Sequence, residues 1–210
     1  MTAHEISDHP VGILDIFNKP SATYACLPRQ EISHEGYLIR TVQRGDIESI
    51  RQWRNAQMEV LRQQHEISHA EQLDYYGREV WPKMADLQPR NLLLSYLLDD
   101  QLIGYGGLVH IGWEDRRAEI SFLLAPVRTH DRKAYKRDFL VFLQLIKTLA
   151  FEDLRLQKIF TETYAFRTHH IGVLEAAGLR LEGTLRNHVI LNNQPVDSLI
   201  HGLLKDPNAR

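Results

Sequence analysis

The chain has 210 residues, 43% of them hydrophobic, and a formal net charge of -2. That length can bury one substantial core, and the near-neutral balance, with a pI near 6.6, argues against general attraction to nucleic acid or to an anionic membrane surface. Cys26 is the single cysteine, which excludes an intrachain disulfide and a cysteine-built metal cluster, and no apolar run approaches the roughly 20 residues of a membrane span.

Residues 1–35 carry turn formers and one apolar cluster, Val11, Ile13, Leu14, Ile16 and Phe17, and read as an extension to a domain over 36–210. The run from Val11 to Phe17 is too short for a secretory leader and is broken by Gly12 and Asp15, so a cytoplasmic location is expected. Tyr37 to Val42 reads as a strand. Asp46 then suits the N-cap of a helix whose Ile47, Ile50 and Trp53 share one face until about Asn55. Ser68 and Glu71 have capping-box spacing and open a second helix through Tyr75, Tyr76 and Val80, disturbed at Pro82.

Leu92 to Leu98 and Leu102 to Ile111 are apolar runs joined at Asp99, Asp100 and Gln101, which predicts an antiparallel hairpin. A strand from Arg117 to Leu124 follows, then a basic turn, a helix from about Tyr135 to Leu154, and a strand from Lys158 to Thr163. That is a strand, crossover helix, strand unit, and it leaves a helix N-terminus beside a strand end, where an anion is favoured. Arg128, Arg132, Lys133, Lys136 and Arg137 add five cations there. A phosphate-bearing cofactor is the natural guest, and side chains dominate its binding: a charge-assisted hydrogen bond contributes about 1.5–3 kcal/mol, the helix dipole about 0.3–1. A short helix, His169 to Ala177, ends at Gly178, well placed as a left-handed cap. Two last strands, Leu181 to Leu191 and Gln194 to Leu203, meet at Asn192 and Asn193, which tolerate the positive φ of a tight turn. The order predicts an α+β fold: a mixed, mostly antiparallel sheet of about seven strands flanked by four helices.

With these elements in place the chain resembles the GNAT superfamily of acetyl-coenzyme A dependent N-acetyltransferases, from Tyr37 to about Lys205. The motifs that carry the resemblance are Leu102-Ile103-Gly104-Tyr105-Gly106-Gly107-Leu108, Ala118-Glu119-Ile120, Ala150-Phe151-Glu152 and Val173-Leu174-Glu175-Ala176-Ala177-Gly178-Leu179, with Glu182-Gly183 and Val196-Asp197-Ser198 after them. They are similar to the branch of ribosomal-protein N-terminal and amino-sugar acetyltransferases, and Trp53-Arg54-Asn55 resembles enzymes of the pseudaminic-acid pathway type. The resemblance implies acetyl-coenzyme A as co-substrate, no metal, and a small-molecule amine acceptor such as a nucleotide-linked amino sugar. It is compatible with an oligomer. The alternatives are acetylation of a protein N-terminus and a non-catalytic coenzyme-binding module. One departure is plain: the Gly-rich loop that opens the family's central helix is missing. Depending on register, Arg132 and Ala134, or Tyr135, Arg137 and Phe139, take its glycine positions, so the five cations are expected to share the pyrophosphate.

The resemblance also implies site residues. Backbone groups of Phe122, Leu123 and Leu124 would meet the oxyanion and the pantetheine arm. Glu119, a carboxylate in an apolar strand, is the candidate base, with a salt bridge to Arg116 or Arg117 as its structural alternative and His110 as the second candidate. The family's general acid, a tyrosine, is matched by Leu174, leaving Tyr164 as a donor or a buried aromatic. Arg167 would lie near pantetheine or phosphate, or be a surface cation. Trp53, Arg54, Asn55 and His65 are the acceptor-binding candidates, Trp53 with the alternative of a core position. His65-Glu66-Ile67-Ser68-His69 matches a zinc-peptidase pattern, but Ser68 as N-cap puts His65 outside the helix and breaks the ligand geometry.

Overall fold

The computed structural model describes residues 22–206. Among these, eight strands form one sheet: β1 (Glu31–His34), β2 (Tyr37–Thr41), β3 (Leu92–Leu98), β4 (Gln101–Gly112), β5 (Arg117–Leu124), β6 (Lys158–Tyr164), β7 (Arg180–Leu191) and β8 (Gln194–Leu204), in the order β1-β2-β3-β4-β5-β6-β8-β7. Only β5 and β6 are parallel neighbours. The helices are α1 (Ile47–Asn55), α2 (His69–Tyr75), a short α3 (Pro126–Thr129), α4 (Arg132–Lys147) and α5 (Thr168–Ala176). None is long and apolar enough to cross a membrane. The apolar cluster Val11 to Phe17 lies outside the described residues.

The predicted turns carry the expected backbone. Asp99 and Asp100 have φ of 46° and 61°, and Asn192 and Asn193 of 49° and 60°, the left-handed pair that matches strand twist in a two-residue hairpin. β3 is buried along nearly its whole length, as befits a strand covered on both faces. The fold adds a strand to the expected seven: β1 falls in the segment read as an extension and pairs with β2 through Ile32 and Ile39.

Two expectations about helices need correction. Asp46 does stand at the N-cap of α1, but its carboxylate turns back to Ser95 Oγ (2.6 Å), the Gln43 N–H (2.8 Å) and Arg40 (2.7 Å), leaving the helix without a side-chain cap. The central helix starts at Arg132 rather than Tyr135, because Asp131 accepts from the Lys133 N–H (2.8 Å) and the Ala134 N–H (3.3 Å). Beyond Lys147 it widens into a π-helical turn, Thr148–Asp153. Ser68 and Glu71 form the predicted reciprocal box at the start of α2, which likewise passes into a π-helical turn, Tyr76–Val80.

The core includes Ile47 and Ile50 of α1 as well as the residues that α4 lays on the sheet. Phe139, Phe142, Leu143 and Ile146 are buried on one face of that helix, each contributing about 1.5–3 kcal/mol by leaving water. Gly106 makes the approach feasible: a Cβ there would stand 2.8 Å from Phe142 Cζ and 3.1 Å from Phe122 Cα.

Candidate active site

β5 and β6 pair only from Arg117/Lys158 to Glu119/Phe160 and then part. The Ala125 N–H donates to Ile103 O (2.9 Å). Because antiparallel partners alternate residue by residue, Leu123 also faces β4, whereas Phe122 and Leu124 turn their backbone groups to the opened side. There the Leu124 carbonyl already accepts from Gln57 Nε2 (2.8 Å); the groups of Phe122 face the gap. Two cavities, each of about 400 Å³, meet at this parting. Phe122, Arg167 and His170 line both.

The first cavity holds the two candidate bases, and they are bonded to each other. His110 Nδ1 lies 2.8 Å from Glu119 Oε2. The Glu119 side chain is 17% exposed and that of His110 52%, so a half-shielded carboxylate backs an open imidazole. The contact arises from a bulge: the β4–β5 register slips between Val109 and Gly112, His110 takes a φ of 50°, and its N–H is held by Asn91 Oδ1 (3.1 Å). Neither Arg116 nor Arg117 takes Glu119; Arg117 turns to Asp115 (3.3 Å) instead. Tyr164 lines the same cavity, 6% exposed at the end of β6. So do Arg54 and an ion pair between Arg62 and Glu162.

The second cavity lies between the end of β5, the α3–α4 turn and the start of α5, and Leu123, Leu124, His130, Arg132 and Thr168 line it. Of the five cations in the basic turn, Arg132 alone reaches it. Arg128 and Arg137 are drawn to Asp138, which is fully buried: Arg128 Nε lies 2.6 Å and Arg137 Nη2 3.3 Å from its carboxylate, and the Tyr37 hydroxyl donates to it at 2.8 Å. A buried carboxylate needs partners of this kind. Asp138 shares the apolar face of α4 with Tyr135, Phe139 and Phe142; that placement is the sequence signal that two of the cations would be claimed. Lys133 and Lys136 are exposed.

Arg167 precedes α5 and lines both cavities, and burial pulls its pKa below the usual guanidinium value. Beside it the Tyr135 hydroxyl lies 2.7 Å from His170 Nδ1. Burial raises the Tyr135 pKa against the opposing pull of Arg167. His170 is held well below the ordinary histidine value by burial first, then by the charges of Arg167 and His169. Its imidazole is therefore neutral. Neither Tyr135 nor His170 stands out in the sequence, since only the packing of α4 on α5 joins them.

The acceptor candidates separate. Trp53 packs against the core. Asn55 has both ends of its amide occupied, by Ile67 N (2.9 Å), Ile67 O (2.9 Å) and Gln63 (2.7 Å), and so staples the loop after α1. Arg54 reaches the first cavity and has no carboxylate partner among the described residues. It also lines a smaller, adjoining cavity of about 300 Å³ with His65, Tyr75 and Tyr105. His65 sits in the loop 3.4 Å from Glu71, while His69 opens α2 and turns to Glu48 (2.9 Å), so the two imidazoles do not share a helical face.

Comparison with known proteins gives a family match. A family model described as an acetyltransferase (GNAT) domain matches residues 39–200. No curated protein matches. Among solved structures, a spermidine N-acetyltransferase from Vibrio cholerae in complex with CoA and spermine aligns with a TM-score of 0.69 at 21% identity, covering 81% of this chain and 96% of that one. A probable acetyltransferase aligns with a TM-score of 0.65 at 23% identity, covering 83% and 97%. At these identities the likeness shows the fold.

Proposed function

The chain belongs to the GNAT acetyltransferase family, and from that premise we propose that it transfers the acetyl group of acetyl-coenzyme A to the primary amine of a small molecule that also carries an anionic group. The observation that carries this reading is the parting of β5 from β6, which brings two cavities together at Phe122. The second cavity suits a phosphate-bearing coenzyme: Arg132 and Arg167 would hold phosphate, and the backbone groups of Phe122 that face the gap would meet the pantetheine arm. Acetyl-coenzyme A supplies an activated carbonyl there.

On the acceptor side His110 and Glu119 act as one unit. The carboxylate accepts a hydrogen bond from Nδ1–H, which fixes the tautomer and leaves the Nε2 lone pair to take the amine proton. Glu119 then balances the charge that forms on the ring, as the carboxylate does in a hydrolase triad.

The acceptor class follows from charge. Spermidine is the substrate named for the Vibrio cholerae relative, and a polyamine needs free carboxylates. In this cavity Glu162 gives one carboxylate oxygen to Arg62 and has His188 3.6 Å from the other, and Glu119 is bonded to His110, whereas Arg54 has no acid partner among the described residues. An amine that also bears a phosphate or carboxylate, a nucleotide-linked amino sugar being one such molecule, complements that lining. The test is release of free thiol from acetyl-coenzyme A in the presence of amino-sugar phosphates, nucleotide-linked amino sugars or spermidine. Turnover is expected with the anionic amines. Preference for spermidine would overturn the acceptor class, and no release with any amine would overturn acetyl transfer.

A further inference from the structure

The junction between the two cavities is occupied by a side chain to which the reading above gives no task. His170 lies near the start of α5, one helical turn before Leu174, and is 7% exposed. Its ring stacks on Phe139, with centroids 4.5 Å apart and planes 17° apart, and it lines both cavities. Nδ1 is taken by the Tyr135 hydroxyl at 2.7 Å. Among the described residues nothing hydrogen-bonds Nε2.

Hydrogen-bond bookkeeping fixes which nitrogen carries the proton. Among the described residues the buried Tyr135 hydroxyl has no acceptor other than His170 Nδ1, so it donates its O–H there. The neutral ring then carries its hydrogen on Nε2, the nitrogen left to meet a ligand. Arg167, His169 and His201 are the charged or titratable groups whose fields reach the ring, and each of them, when charged, disfavours a second proton on it. Nothing about this arrangement lets His170 act as a base through Nδ1.

Resting on the acetyl-transfer reading, we propose that His170 is a catalytic residue whose Nε2–H hydrogen-bonds the sulfur of the departing thiolate, with Tyr135 as the positioning residue that fixes its tautomer. As the C–N bond forms and the C–S bond breaks, the C–S electron pair stays on sulfur. The amine proton passes to His110 and on to solvent, His170 keeps its own proton, and the thiol is completed by a proton from solvent. A neutral donor suits the position, since it costs little to bury and its hydrogen bond strengthens as negative charge develops.

The test titrates coenzyme A bound to the full-length protein, following thiolate by ultraviolet absorbance and binding itself by calorimetry, for wild type, His170→Phe and Tyr135→Phe. Loss of the Nε2 donor in His170→Phe, which keeps a ring on Phe139, is expected to raise the pKa of the bound thiol by about one unit, roughly tenfold in acidity. Tyr135→Phe is expected to shift it the same way by less, with coenzyme affinity and fold retained in both. A merely structural role would weaken binding without moving the thiol. An unchanged thiol titration in folded, coenzyme-binding Tyr135→Phe overturns the inference even where the His170 variant does not fold. Failure of wild type to bind coenzyme A at all would instead overturn the underlying reading.

Discussion

Replacing Glu119 by Gln removes the charge behind His110 while keeping the shape of the side chain. The bond that is lost is a 2.8 Å contact between a carboxylate and an imidazole, and hydrogen bonds to charged groups contribute about 1.5–3 kcal/mol. With the imidazole half open to water, the lower half of that range applies. At about 1.4 kcal/mol per factor of ten, kcat/KM should fall roughly 10- to 50-fold. His110→Gln removes the proton acceptor itself and should cost about 10²- to 10⁴-fold. Because the two side chains serve one task, the double variant should be little worse than His110→Gln alone. The assay is steady-state thiol release at saturating amine, with KM for acetyl-coenzyme A measured separately, where no change is expected. Full turnover by Glu119→Gln, or losses that multiply in the double variant, would refute the pairing as the source of the base.

Asp138→Ala leaves Arg128 half-buried without its counter-ion and the Tyr37 hydroxyl without an acceptor; a loss of about 3 kcal/mol in denaturant unfolding is expected, the low end for a broken buried pair because Arg128 retains some solvent. Below the ordinary histidine pKa of 6.5, unfolded chains take up a proton at His170 that the folded protein refuses, so stability should fall with acidification by up to about 1.4 kcal/mol per pH unit from that single group. Comparing unfolding curves of wild type and His170→Gln across pH isolates that slope. Arg132→Ala should weaken coenzyme A binding about tenfold in calorimetry at low salt, as one phosphate contact is lost, whereas Lys133→Ala and Lys136→Ala, whose side chains lie off the cavity, should leave it nearly unchanged.

The local rules carried much of the fold. The capping box at Ser68, the Asp and Asn hairpin turns and the Gly178 cap, with its φ of 95°, are each set by a few neighbouring residues, so they can be read in a line of sequence. β1 escaped notice because four residues with one buried side chain, Ile32, give no periodicity; pairing with β2 makes it a strand. Charge was harder. The basic turn could be counted, but its free charge depends on Asp138, whose partners are set by how α4 packs on β2 and β3 through Tyr37 and Tyr96. Glu119 and His110 were each visible as candidate bases. Their contact needed a bulge that reverses the local backbone at His110, and β-branched runs and alternation give no sign of it. His170 and Tyr135 come from different helices, and only tertiary packing makes them a pair.

The most direct measurement is a crystal structure with coenzyme A and an anionic amine bound. A thiol lying between Phe122 and His170, phosphate near Arg132 and the amine within reach of His110 is the result expected. Coenzyme A bound elsewhere on the surface, or β5 and β6 paired along their whole length, would contradict acetyl transfer where these strands part.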